Sequence, residues 1–186
     1  CLVLGVGGLP GALAGRPAHT DIALAREQVT EGIAALLADA RERGMPLAIE
    51  PLHPMYAADR ACINTLSQAL DVCDTLDPGR SGALGVAVDA YHVWWDPQLQ
   101  AQIARAGRER LLAFHVCDWL LPTTDLLEDR GMMGDGVIDL RRLRGWVEDA
   151  GFGGYAEVEI FSRANWWQRA GGEVLETCIE RHRRCV

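Results

Sequence analysis

Lysine is absent from this sequence of 186 residues, so all 18 residues of the Lys/Arg class are arginines. Catalysis that depends on a lysine amine within the chain is therefore excluded, including Schiff-base aldol chemistry, pyridoxal phosphate enzymes and the phosphate-binding P-loop. Positive charge is also scarce relative to negative charge, because 26 acidic residues give a formal net charge of -8. This average field repels a phosphate backbone, and the sequence predicts that nucleic acid is not a partner.

Closely spaced cysteines and long apolar runs are missing as well. The six cysteines form no Cys-x-x-Cys pair, which is typical of reduced, mostly buried thiols. The longest apolar stretch, residues 1–14, is too short to cross a bilayer and is interrupted by glycine and proline. No basic segment of a signal peptide precedes it. We therefore expect a soluble cytoplasmic protein, and a start at Cys1 suggests a removed N-terminus or a piece of a longer polypeptide.

The sequence does contain a repeated pattern, in which a short apolar run is followed by a loop and then by helical periodicity. The runs predicted as strands are residues 1–6, 47–49, 84–88, 111–116 and 155–161. Strands that alternate with helices favour right-handed βαβ units and a parallel sheet. Five units of about 38 residues fit an open doubly wound sheet, or a barrel of eight units in which about three are lacking.

Capping residues predict where the helices begin and end. Thr20 or Asp21 is expected to cap the first helix, which Gly44 should terminate. Asp59 is expected to cap the second helix, and Asp139 a later one.

Side chains that can bind metal ions follow four successive apolar runs. Glu50 follows the second run, Asp89 follows the third, and His115 lies near the end of the fourth. Glu157 and Glu159 lie in the fifth run. Because the carboxyl ends of parallel strands meet at one edge of a sheet, we expect these groups to converge.

The recurrence of these groups, rather than any single residue, indicates a metal site. Taken alone, a glutamate at a strand end is usually a helix cap or an ion-pair partner, and a histidine there usually belongs to the core. Burying several acids together is costly without a compensating cation. An oxygen-rich set with one imidazole suits octahedral manganese, cobalt or magnesium better than structural zinc, although zinc is also a candidate.

Five motifs surround these residues in a specific order. They are AIEPLHP, VAVDAYHVWW, AFHVCDW, GMMGDGVIDL and AEVEIFS. Together they resemble the sugar phosphate isomerase/epimerase family of xylose isomerase-like TIM barrels, and the resemblance covers essentially the whole chain. It implies an α/β fold, a (β/α)8 TIM barrel, of which residues 1–186 are the C-terminal part of a single domain. Strands four to eight would be present, and the first three strand–helix units would be lacking.

The same resemblance implies a ligand set and a reaction. By this resemblance the metal ligands are Glu50, Asp89, His115 and Glu159, and His92 contacts substrate oxygens. The implied substrate is a small sugar or sugar phosphate, from which a proton is removed next to a carbonyl through a metal-stabilised enediolate. Glu50 and Glu159 would act as base and acid. Epimerase, isomerase and dehydratase chemistry would share these residues.

Further residues are candidates for contact with the substrate. Trp119 follows a strand end, where it could stack on a sugar or pack within a loop. Arg130 could hold a substrate oxygen or phosphate, or form a surface ion pair. His53, shortly after Glu50, could face the pocket.

Two glutamates compete for the last ligand position. Glu157 and Glu159 lie two residues apart, so both point to the same face of a strand. The family motif places the ligand at the glutamate before Ile-Phe-Ser, which is Glu159. Glu157 is then expected to be buried one layer lower and paired with an arginine.

Two other functions compete with an isomerase or epimerase. An apurinic endonuclease of the same superfamily needs extra histidines, and the loop Gly134-Asp135-Gly136 has none. A non-catalytic barrel remnant that binds sugar or another protein is the second alternative, because a partial barrel exposes two sheet edges. Homo-oligomerisation is also compatible with such edges.

Overall fold

A parallel sheet forms the centre of the computed structural model, which describes residues 1–9, 11, 14–15 and 18–186. Its strands are β1 (Leu2–Leu4), β2 (Leu47–Ile49), β3 (Leu84–Asp89), β4 (Leu111–Val116) and β7 (Ala156–Val158), while β5 (Asp118–Trp119) and β6 (Arg130–Gly131) form a small antiparallel pair. The five parallel strands lie side by side in their order along the chain. A doubly wound sheet reverses its order at a switch point, so that alternative is wrong.

Helices follow the strands, as the periodicity predicts. They are α1 (Ile22–Arg43), α2 (Leu66–Leu76), α3 (Ala90–Val93), α4 (Leu99–Arg110), α5 (Leu140–Asp149) and α6 (Gly171–Cys185). Short 3-10 turns cover Pro54–Tyr56 and Trp166–Gln168. No helix in the part of the chain that the structure describes is long and apolar enough to span a membrane.

The helix ends test the capping predictions. Asp21 caps α1 by accepting the backbone N–H groups of Ala23 and Leu24, and Gly44 ends the helix in the left-handed conformation at φ 63°. The prediction for α2 was wrong, because the helix begins after Thr65 rather than after Asp59. Thr65 and Gln68 form a capping box, in which the side chain of each accepts the backbone N–H of the other.

The sheet has two faces with different side chains. The outer face packs against the helices in a large apolar core that includes Leu47, Ile49 and Val88. The inner face carries a small cluster of three alanines, Ala48, Ala87 and Ala113. Side chains alternate along a strand, so one sequence pattern supplies both faces.

The two edges of the sheet are β1 and β7. Val158 in β7 is 38% exposed, and Leu175 in α6 is 61% exposed. No residue of α6 is buried. Within the described chain, this edge therefore has apolar groups that neither the sheet nor another helix covers.

Candidate metal centre

Alternation along three neighbouring strands places polar groups directly beyond the inner alanines. In β2, Leu47 and Ile49 pack outward, so Ala48 and the following Glu50 point to the inner face. The same two-residue spacing relates Ala87 to Asp89 and Ala113 to His115. Asp89 and His115 are also register partners of adjacent parallel strands. The carboxyl ends of β2, β3 and β4 thus present three polar groups at one edge.

The four residues implied as ligands lie close enough to share one ion. Glu50, Asp89, His115 and Glu159 each offer one ligand atom, and these atoms all lie within 4.8 Å of one another. His115 Nδ1 lies 2.9 Å from Glu50 Oε1 and 4.0 Å from Glu159 Oε2. Asp89 Oδ1 accepts the Tyr91 backbone N–H at 2.8 Å, which fixes this carboxylate at the start of α3. Their role as metal ligands stays a prediction.

The electrostatics of the cluster test whether a cation fits. Burial raises the pKa of Asp89, and burial together with the Asp89 carboxylate raises the pKa of Glu159. Burial on its own would lower the pKa of His115, but its hydrogen bond to Glu50 and the surrounding carboxylates raise it to about 9. The cluster therefore favours added positive charge. Three carboxylates and one imidazole fit a divalent cation.

Arg130 is a buried member of this cluster. The alternative of a surface ion pair was wrong, since the Arg130 side chain is only 3% exposed. Its Nη1 donates to Asp89 Oδ2 and to Glu159 Oε2, each at 3.0 Å. The pairing of β6 with β5 carries this side chain inward from a segment outside the parallel sheet. Contact between Arg130 and a substrate stays a prediction.

His92 lies beside Arg130, and its ring is neutral. Burial and the positive charge of Arg130 lower the pKa of His92 to about 3. The His53 backbone N–H donates to His92 Nδ1 at 3.1 Å, so the ring hydrogen is assigned to Nε2. That nitrogen lies 3.2 Å from Arg130 Nη2. Both nitrogens are then donors, and the acceptor Asp89 Oδ2 lies 3.6 Å from His92 Nε2.

Trp119 and His53 form part of an aromatic cluster next to these residues. Their rings are stacked with centroids 5.0 Å apart, and Trp119 also stacks on Tyr91 at 4.8 Å. Trp95 contacts His53 edge-on at 5.7 Å. These contacts give Trp119 a packing role, and substrate contact by Trp119 or His53 stays a prediction.

An open cleft of about 460 Å³ reaches the cluster from the inner face of the sheet. Its lining residues are Val3, Gly5, Glu50, His115, Glu157, Val158 and Glu159. Glu157 is exposed in this cleft, so the expectation that it is buried was wrong. Among the described residues, β7 has a neighbouring strand on one side only, and no layer covers Glu157.

Sequence reasoning missed the residues that hold Arg130 in place. Its guanidinium carbon lies 4.3 Å from the ring centre of Tyr91 and 4.8 Å from that of Phe161. Tyr91 stands between Asp89 and His92 in its motif, and Phe161 follows Glu159 by two residues. Their positions next to the candidate ligands could have indicated a role at the site, although an aromatic residue beside a strand end usually indicates core packing.

Asp118 lies in the AFHVCDW motif, and sequence reasoning gave it no role. Its carboxylate is fully buried and accepts the backbone N–H groups of Trp119, Gly134 and Ile138, each at 2.9 Å. A Cβ at Gly136 would lie 2.1 Å from the Trp119 carbonyl oxygen, so only glycine fits there. Asp118 therefore fixes the Gly134-Asp135-Gly136 loop against β5.

Comparison with known proteins gives the family and the shared fold. The profile of the xylose isomerase-like TIM barrel family matches residues 1–178. Inosose isomerase from Bacillus licheniformis is 22% identical over 166 residues, which are 88% of this chain and 58% of that protein.

Two solved structures share the fold of this chain. The crystal structure of protein SMc04130 from Sinorhizobium meliloti 1021 has a TM-score of 0.92 and 62% identity, and the match covers 100% of this chain and 64% of that one. The crystal structure of IolI protein with a bound zinc atom has a TM-score of 0.74 and 20% identity, covering 90% and 58%. The chain thus spans less than two thirds of each of these proteins, and it belongs to the xylose isomerase-like TIM barrel family.

Proposed function

We propose that this chain is the C-terminal part of a divalent-metal-dependent isomerase or epimerase that acts on a small sugar or sugar phosphate. The observation that carries the proposal is the convergence of four ligand atoms within 4.8 Å at one edge of the sheet. The similarity to an inosose isomerase supports a carbohydrate-like substrate. The reduced state of all six cysteines is consistent with a cytoplasmic location.

The five parallel strands are proposed to be strands four to eight of one barrel domain. Their order along the sheet equals their order along the chain, as in a (β/α)8 barrel. The open edges at β1 and β7 and the exposed face of α6 are where three further strand–helix units would pack. We expect activity only when the barrel is complete.

The metal is proposed to be held by Glu50, Asp89, His115 and Glu159. Once bound, a divalent cation would polarise the substrate carbonyl and stabilise the negative charge that develops when the neighbouring proton leaves. Manganese, cobalt and magnesium fit the oxygen-rich donors, and the zinc bound by IolI protein makes zinc a candidate as well.

Glu50 and Glu159 are proposed to transfer the proton. Both line the open cleft, and burial raises the pKa of Glu159, which brings this carboxyl closer to the range in which it can both accept and donate a proton. One glutamate would remove the proton from the carbon beside the carbonyl. Its return to the same carbon from the opposite face is epimerisation, and its return to the neighbouring carbon is isomerisation.

His92 and Arg130 are proposed to bind a substrate oxygen. Their Nε2 and Nη2 donors lie 3.2 Å apart, so an oxygen that accepts from both would satisfy both groups. His53 and Trp119 would form the wall of the same pocket through their stacked rings. A sugar ring has apolar faces that pack well against such a wall.

Deuterium exchange tests this proposal. The full-length polypeptide is incubated in deuterated water with manganese(II) and a panel of ketoses, inososes and their phosphates, and deuterium in the recovered substrate is measured by mass spectrometry. We expect exchange with wild-type protein, and loss of exchange in Glu159→Gln. Glu148→Gln is the matched control, because Glu148 is an exposed residue of α5 that pairs with Arg144; it should exchange normally. Wild-type exchange rates in Glu159→Gln would refute the assigned role, and absence of both bound metal and exchange in wild-type protein would favour a non-catalytic remnant.

A further inference from the structure

Arg130 binds the same carboxylates that the cation would need. Its Nη1 donates to Asp89 Oδ2 and to Glu159 Oε2, each at 3.0 Å. These two residues supply two of the four ligand atoms that lie within 4.8 Å of one another. A guanidinium stays charged across the pH range in which proteins fold. A fixed positive charge therefore lies against half of the candidate ligand set.

Aromatic rings on two sides hold this guanidinium in place. Tyr91 lies 4.3 Å and Phe161 4.8 Å from the guanidinium carbon. Tyr91 is itself anchored, because its ring stacks on Trp119 at 4.8 Å and its hydroxyl donates to the Leu126 carbonyl at 2.9 Å. Arg130 cannot leave the carboxylates without losing cation–π contacts as well as hydrogen bonds.

The local charges show what the guanidinium does. Three carboxylates meet here, and Arg130 compensates two of them directly. A divalent cation that enters must share Asp89 and Glu159 with this positive charge. Two positive charges that contact the same carboxylates repel each other strongly in a buried site.

We propose that Arg130 is an internal counter-ion that competes with the divalent cation for Asp89 and Glu159 and thereby weakens metal binding. The inference rests on the proposed function, since it takes the four residues as the metal site. It goes beyond that function because it assigns control of metal occupancy to a residue that is not a ligand. The opposite role, in which Arg130 orients the two carboxylates for the metal, predicts the opposite change in affinity.

Metal titration separates these two roles. Chelator-treated full-length protein is titrated with manganese(II) alone, and free manganese is followed by electron paramagnetic resonance. Manganese is preferred to zinc because a free thiol such as the exposed Cys1 can bind zinc outside the site. We expect Arg130→Met to bind manganese about tenfold more tightly than wild type, or more, because one buried repulsive charge is gone. Arg130→Lys keeps the charge and should stay within about threefold of wild type.

A matched control removes the same charge elsewhere. Arg144→Met acts on α5, where Arg144 pairs with Glu148, and should leave the manganese affinity unchanged. Circular dichroism confirms that each variant is folded. Should Arg130→Met fail to fold, Phe161→Leu decides the question, because it loosens the guanidinium without changing charge and should tighten manganese binding about threefold.

The outcomes separate this inference from the proposed function. Tighter binding in Arg130→Met or Phe161→Leu supports the counter-ion, including the case in which only the variants bind manganese. Wild-type binding with unchanged or weaker affinity in the folded variants overturns the counter-ion and leaves the metal centre standing. Absence of manganese binding in wild type and variants alike overturns both.

Discussion

The middle and the edge of the same sheet differ in how firmly they hold the candidate centre. In the middle, β2, β3 and β4 each have neighbours on both sides, and the side chains of Glu50, Asp89 and His115 are only 11%, 0% and 10% exposed. At the edge, β7 has one neighbouring strand, and the Glu159 side chain is 37% exposed. The local sequence is similar in both regions, so burial depends on the number of neighbouring strands.

Three of the four residues of the candidate centre lie in the interior of the sheet, and one lies at its edge. Asp89 is held by the Tyr91 N–H and by Arg130, and His115 is held by Glu50. Glu159 has Arg130 as its hydrogen-bond partner and lines the open cleft. Changes in the interior should therefore affect both metal binding and stability, whereas changes at the edge other than at Glu159 should have small effects.

The largest contrast is expected between Asp89 and Glu157. Asp89→Asn removes one ligand charge from the buried middle of the sheet, and we expect manganese affinity to fall by about a hundredfold or more, since even the outer contacts of a metal ligand are worth about ten- to a hundredfold. Glu157→Gln, at the edge, should change the affinity by less than about twofold. Titration of both variants measures the contrast, and equal losses would contradict it.

A second contrast compares two valines on different strands. Val88 is completely buried in β3, so Val88→Ala should lower the free energy of unfolding by about 2 kcal/mol through lost burial and a small cavity. Val158 is 38% exposed in β7, and Val158→Ala should cost about 0.5 kcal/mol or less. Urea denaturation followed by circular dichroism gives both values. Similar losses would mean that β7 is covered in solution.

A third prediction concerns the pH dependence of the metal-free protein. Burial alone would lower the pKa of His115, but the Glu50 hydrogen bond and neighbouring carboxylates raise it to about 9, above the ordinary 6.5. Its stabilising contribution is therefore complete below pH 6.5 and is lost as the pH rises through about 9. The Tm of chelator-treated wild type should fall across this window, and His115→Gln should lack that part of the fall. Parallel profiles for the two proteins would argue against the hydrogen bond to Glu50.

The sequence predicted the interior of the sheet better than its edge. The expectation that Glu50, Asp89 and His115 converge came from parallel strands that end at one edge, and their ligand atoms do lie within 4.8 Å of one another. The two-residue period of a strand put Glu157 and Glu159 on one face but could not predict their burial. Glu157 is exposed because β7 has a neighbouring strand on one side only in the described chain.

Arg130 shows the limit of local reasoning most clearly. It lies in a two-residue strand, and its partners Asp89 and Glu159 are 41 and 29 residues away in the chain. No periodicity around Arg130 indicates that it is buried. The error at Asp59 has a different cause, since Thr65 and Gln68 form a reciprocal cap further along the chain and α2 begins there.

The three inner alanines have a consequence for redesign. Ala48, Ala87 and Ala113 each lie two residues before a candidate ligand, and their methyl groups line the inner face of the sheet below these ligands. A valine or leucine at any of these positions would add methyl groups to the inner face and push the candidate ligands apart. The depth available to a bound molecule is therefore limited by three methyl groups. Larger residues at these positions should narrow the range of accepted ligands without a change to any polar residue.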